Sequence, residues 1–254
     1  MSDQPRSVPA RLGLHELSYT YRRADRPALR EIDADFSSSS IAVLGPNGAG
    51  KSTLFRILAT LASPGAGAFS VDGADPHEPG RMDDFRARLG YLPQELRLFR
   101  GYTCEEFLRY VCWLRRVPAP STEFAIGDAL RTVDLESRRD QRISALSGGM
   151  VRRLGLAQAL VSTPTLVLLD EPTTGLDPRQ RAEFRDHLLA IRERAILVVA
   201  THLVEDVAAI AEDVLVLAAG EQRFAGTLTE LCGTPSPTGA DVEAAYLALT
   251  EPSR

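Results

Sequence analysis

The chain has almost no lysine: Lys51 is the single one among 29 basic residues, and the rest are arginine. A GC-rich coding sequence accounts for the bias, and it singles out the place where a lysine stands. Cysteine is scarce as well. Cys104, Cys112 and Cys232 are odd in number and have no metal-ligand spacing, so neither a disulfide framework nor a cysteine zinc site is expected. They read as reduced structural thiols of an intracellular protein. No apolar run approaches the ~18 residues of a membrane span. The longest candidates, residues 196–200 and 214–219, have the length of strands. The first ten residues are polar and contain proline, without the apolar core of a signal peptide, so none is expected. Any membrane role must then come through a partner. Excess positive charge is also missing. A net charge of −5 argues against a protein that coats nucleic acid, and no nucleic-acid partner is expected. There is no internal repeat. The 254 residues, 44% hydrophobic and 25% charged, suit one large domain or a domain with a small subdomain.

What is present centres on Gly45-Pro46-Asn47-Gly48-Ala49-Gly50-Lys51-Ser52-Thr53. The apolar run Ile41-Ala42-Val43-Leu44 precedes it and Leu54-Phe55-Arg56-Ile57-Leu58 follows. That order is strand, glycine loop, amphipathic helix. Glycines let successive backbone N–H groups turn inward around an anion. The helix opening at Lys51 aims its positive dipole end at the same point. Lys51 would reach the β- and γ-phosphates of a nucleotide, and the Ser52 hydroxyl would bind Mg²⁺. The one lysine thus stands where a compact, flexible point charge suits a phosphate.

In chain order, residues 1–10 read as a mobile tail. Residues 12–21 and 28–36 partly alternate in polarity, as antiparallel strands with one wet face do. Tyr19 and Tyr21 end the first; either could stack on an adenine ring or pack in the core. Residues 37–40 are a polar linker. The helix from Lys51 is expected to stop near Ser63-Pro64-Gly65. Residues 68–72 and 89–92 read as short strands, and Gln94 as a loop residue. Thr103-Cys104-Glu105-Glu106 is a capping box, with Tyr102 and Phe107 placed as a hydrophobic staple. The helices expected at 103–116 and 123–133 make residues 102–140 a small helical insertion carrying Trp113, Arg115 and Arg116. Ser147 is a good N-cap for a helix reaching about Ser162. Gly148 and Gly149 leave its first N–H groups bare, a second anion site. Residues 165–169 form a buried-type strand ending in Asp170 and Glu171, where parallel α/β sheets bind ligands. Asp177-Pro178 caps another helix. Residues 195–201 form a strand ending at His202. A short helix (205–211), a strand (214–218), a turn at 220–222 and a tail with a possible helix at 242–249 follow.

Together these pieces resemble the nucleotide-binding subunit of an ABC transporter over residues 12–232. Six elements stand in the family's order: residues 45–53 match Walker A, Gln94 the Q-loop, Leu146-Ser147-Gly148-Gly149-Met150 the signature motif, residues 166–171 Walker B with its glutamate, Leu176-Asp177 the D-loop, and Thr201-His202 the switch histidine. Two departures stand out. Met150 replaces the usual glutamine, and residues 37–40 replace the usual Pro-Gly turn.

The resemblance implies an α/β fold: a P-loop NTPase core with a mostly parallel sheet, an N-terminal antiparallel β-subdomain and an inserted helical subdomain. The ATPase domain would span 11–232, with 11–101 and 163–232 as core, 102–162 as the helical subdomain and 233–254 as a tail. It implies ATP and Mg²⁺ as ligands, with Tyr21 as the stacking aromatic. Ser52, Asp170 and Gln94 would organise Mg²⁺ and its waters. Glu171 would be the general base and His202 a γ-phosphate contact. Ser147, Gly148 and Gly149 would face the ATP of a second cassette, so a head-to-tail homodimer is expected. A separate transmembrane permease would hold the chain at the cytoplasmic face of the membrane. The segments around Gly101, Met150 and His202 look most like cassettes exporting drugs, antibiotics or other small molecules or peptides. Importer cassettes share every catalytic motif, and related soluble ATPases act on ribosomes or DNA; both stay open.

Overall fold

The computed structural model describes residues 11–250. The expected tail at 1–10 lies outside the described residues. One nine-stranded sheet organises the rest, in the order β4-β1-β2-β9-β8-β3-β7-β6-β5. Its parallel centre comprises β3 (Ser40–Leu44), β7 (Ile196–Thr201), β6 (Leu166–Asp170) and β5 (Leu89–Leu92). β8 (Asp213–Ala218) runs parallel to β3 and antiparallel to β9 (Glu221–Thr227). At the far edge β1 (Leu12–Tyr19) pairs antiparallel with both β2 (Leu29–Phe36) and β4 (Ala66–Val71). The expected α/β fold with an antiparallel β-subdomain is what the sheet shows.

Both faces of the centre are covered, which explains why its strands read as unbroken apolar runs. Along β6 and β7, Leu166, Leu168, Ile196 and Val198 face the core under α1 (Lys51–Leu58). Their neighbours Val167, Leu169, Leu197 and Val199 face a second core. That core is roofed by α3 (Cys104–Leu114), α4 (Ala119–Thr132), α5 (Gly148–Leu160) and α6 (Pro178–Arg192). The capping box at Thr103 forms as expected: Thr103 accepts from Glu106 N and Glu106 from Thr103 N. The recorded ring contacts of Tyr102 are with Phe99 and Tyr110.

Several boundaries differ from expectation. α1 stops at Leu58, not near Ser63. Thr60 adopts a left-handed conformation (φ 55°), so the chain leaves the helix before the Pro-Gly signal. Arg86 holds it there, donating to the Thr60 hydroxyl (2.8 Å) and carbonyl (3.1 Å). Arg86 sits on α2 (Met82–Ala87), which sequence reading missed. Six residues with none buried carry no helical period. β9 starts inside the expected turn at 220–222 and, with α8 (Leu228–Cys232), fills a stretch given no element in the sequence reading, because β9 is a polar strand held by its ladder to β8. Ser40 belongs to β3 and is buried. α7 (Val204–Ile210) follows β7, and α9 (Gly239–Thr250) packs against it with Val242 fully buried. Among the described residues no helix is long and apolar enough to cross a membrane.

Candidate active site

The site grows from the loop between β3 and α1. Gly50, the N-cap of α1, has φ 108°, and a Cβ there would meet the Ala28 carbonyl at 2.7 Å. Only glycine fits that turn. α1 lacks a side-chain cap, so its first N–H groups face the loop. A cavity of about 290 Å³ opens there, lined by Pro46, Asn47, Gly48, Gly50, Lys51, Ser52, Thr53, Tyr21, Gln94 and Glu171. Five sequence segments expected to hold one nucleotide thus meet or border one space. Tyr21, not Tyr19, lines it. Tyr21 hydroxyl lies 3.1 Å from Thr53 Oγ1, while Tyr19 packs on the β-subdomain core.

Lys51 is almost fully buried. Its Nζ donates to the Gly45 and Pro46 carbonyls (2.6 and 3.2 Å) and lies 3.5 Å from Glu171 Oε1. Its charge is therefore held at the loop mouth. Glu171 follows the last residue of β6 and has a left-handed backbone (φ 49°), with its N–H donating to the Ala200 carbonyl at 2.9 Å. Its Oε2 accepts from Thr174 Oγ1 (3.1 Å) and lies 2.8 Å from His202 Nδ1. His202, one residue past β7, is half exposed at the site's rim. Adjacent parallel strands put Glu171 and His202 side by side although 31 residues separate them.

Asp170 is buried, and its Oδ1 has no hydrogen-bond partner. Burial pushes its carboxyl pKa up; the Ser52 hydroxyl bonding to it works against that shift, the Glu171 charge adds to it, and the Lys51 and Arg152 charges oppose it. An orphaned buried carboxylate oxygen beside a serine hydroxyl fits the donor set of Mg²⁺, which takes one or two protein oxygens plus substrate phosphates. Among the described residues no group of three or more His, Cys, Asp or Glu could hold a metal by itself.

The signature residues lie elsewhere. Ser147 caps α5, accepting from Met150 N at 3.3 Å. Ser147 and Gly149 line a separate cavity of about 280 Å³ with Asp177 and Gln180. The chain therefore does not bring its own signature to its own phosphate loop.

Three participants escaped sequence reading. Thr174 holds Glu171. Asp206, on α7, is buried between the Thr173 hydroxyl and Arg185 Nε (2.7 Å), tying the segment after β6 to α6 and α7. Arg152, on α5, is buried with every guanidinium N–H on a main-chain carbonyl. Arg152 and Arg153 read alike in sequence, and only the fold buries the first.

A family profile described as "ABC transporter" matches residues 29–174. The uncharacterized ABC transporter ATP-binding protein YxlF of Bacillus subtilis is 34% identical over 87% of this chain and 72% of its own length. The Nod factor export ATP-binding protein I of Rhizobium meliloti is 36% identical over 82% of this chain and 62% of its own. Among solved structures, cbiO1 from Clostridium perfringens, part of the transporter complex cbiONQ, superposes with a TM-score of 0.78 at 27% identity, covering 87% of this chain and 89% of that one. The cassette MJ0796, in a dimeric post-hydrolysis state with ADP and phosphate, superposes with a TM-score of 0.74 at 23% identity over 85% and 98%. With the profile spanning more than half its length and a relative 34% identical over most of both chains, the chain belongs to the ABC transporter family as an ATP-binding ATPase subunit.

Proposed function

We propose that this subunit hydrolyses ATP to power a separate transmembrane permease that exports a small molecule. The observation that carries the hydrolytic part is the convergence of Lys51 and His202 on Glu171, beside Ser52 and Asp170. In this reading Tyr21 stacks on the adenine, and the loop amides with Lys51 hold the β- and γ-phosphates. Ser52, Asp170 and Gln94 hold Mg²⁺ and its waters; when bound, Mg²⁺ screens the charge between the phosphates. Glu171 takes a proton from the attacking water, whose oxygen bonds to the γ-phosphorus as the bond to the β-phosphate oxygen breaks. ADP and phosphate leave. His202 hydrogen-bonds the γ-phosphate, where charge is spread in the transition state.

The separation of the signature cavity from the phosphate loop supports a two-fold dimer. Each Ser147–Gly149 site would close on the ATP of the other subunit. The dimer named for MJ0796 is consistent with this arrangement. The export direction rests on relatives named for export. Tagged chain purified from gently solubilised membranes of its host should bring down a stoichiometric polytopic membrane protein. Recovery of ribosomal or DNA-repair proteins instead would overturn the transport reading and leave the ATPase chemistry standing.

A further inference from the structure

Arg152 lies on the second turn of α5, the helix whose first turn carries Ser147 and Gly149. Its guanidinium makes five hydrogen bonds, one from each N–H. Nε donates to the Pro172 carbonyl (2.8 Å), Nη1 to Pro93 and Gln94 (3.1 and 2.9 Å), and Nη2 to Asp170 and Glu171 (3.0 and 2.8 Å). No N–H is left for a carboxylate. A buried cation is costly unless fully bonded, so a site built this completely holds those carbonyls in a fixed relation. They belong to the two segments that place Gln94 and Glu171 at the nucleotide cavity. Glu171 needs such a restraint, because its left-handed backbone is disfavoured for a residue with a Cβ.

The carbonyls reach α5 through a rigid fork, and the other end of that helix turn lines the separate signature cavity. One side chain therefore links the two places. We propose that Arg152 is a positioning residue coupling the signature helix to the backbone that carries Glu171, so that occupation of the Ser147–Gly149 site sets the hydrolytic competence of this chain's own nucleotide site. This rests on the two-fold dimer proposed above. A shift of α5 toward a phosphate at its N-terminus would carry the five carbonyls with it.

The test is R152K in the full chain, since lysine keeps the charge but cannot span five carbonyls. ATP affinity should stay within about threefold, while kcat falls by about ten- to a hundredfold and the Hill coefficient drops from about 2 toward 1. In an E171Q background R152K should remove almost nothing further, because both act through one group. Wild-type kcat and Hill coefficient in R152K would overturn the proposal. So would a lowered Tm with unchanged kinetics, which marks a merely structural role. Should R152K not fold, hydrogen exchange on S147A with ATP carries the test. Amides of residues 94–96 and 169–174 should exchange faster than in wild type, and unchanged exchange there would sink the coupling. Sedimentation of E171Q with ATP separates the two readings. Absence of a dimer removes the two-site reading and the coupling together, whereas a dimer alongside wild-type R152K kinetics removes the coupling alone.

Discussion

Lys51, Glu171 and Tyr21 line one cavity and in the proposed reading would hold different parts of the nucleotide, so their loss should read out differently. Lys51→Ala removes the charge at the loop mouth. ATP binding or hydrolysis should fall by about 10²-fold or more, measured by nucleotide titration and phosphate release. Retained activity would remove the phosphate-loop assignment. Glu171→Gln keeps the shape and loses the base. ATP should still bind, with turnover down by about 10²–10⁴-fold. Wild-type turnover there would mean that another group takes the proton. Tyr21→Ala should raise KM with kcat nearly unchanged, because stacking on the base is the same in ground and transition states.

At the scale of elements, one contact sets how closely the helical roof lies on the sheet, and a group of ion pairs ties the roof together. Gly90 in β5 lets α5 approach so closely that a Cβ would meet the Ala159 carbonyl at 2.4 Å. Gly90→Ala should cost about 1–3 kcal/mol as α5 is pushed off β5, read as a fall in Tm of roughly 2–4 °C per kcal/mol. Across the roof, Arg139 bonds Glu105 (2.5 Å) and Glu123, and Arg109 bonds both carboxylates. The Arg139 hydrogen bond, then that of Arg109, holds the Glu105 carboxyl below its ordinary range. A lowered folded pKa gives stability that is complete above the unfolded value, about 4.3, and is lost as pH falls through the folded one. The Tm gap between wild type and Arg139→Met should therefore be full at neutral pH and shrink below about pH 4. A gap independent of pH would assign the effect to packing.

For the whole molecule, the separation of the signature cavity from the loop cavity means that, in the proposed dimer, turnover would be a property of the assembly. Glu171→Gln with ATP should sediment as a dimer and wild type with ADP as a monomer; a monomer in both would leave Ser147 and Gly149 without a ligand. Chelating divalent ions with EDTA should stop hydrolysis while ATP still binds more weakly, because the ion proposed at Asp170 and Ser52 would no longer screen the phosphates. Hydrolysis that persists in EDTA would remove the Mg²⁺ assignment.

The sequence by itself determined the local pieces. A glycine loop between an apolar strand and a helix, a capping box at Thr103, N-caps at Ser147 and Asp177, and buried strands ending in Asp170 and Thr201 follow from short-range periodicity and backbone chemistry. All formed where expected. Tertiary structure decided whatever depends on contacts far along the chain. Thr60 ended α1 early because Arg86 reaches it, and the polar β9 became a strand because β8 supplied its ladder. Tyr21 rather than Tyr19 lined the cavity at the glycine loop because the strand ends there and Tyr19 turns to the core. Arg152 and Asp206 became internal because residues 18 to 59 positions away closed around them. A side chain's polarity is written in the sequence, but whether its charge ends in water or on a ring of carbonyls is set by what the fold packs against it.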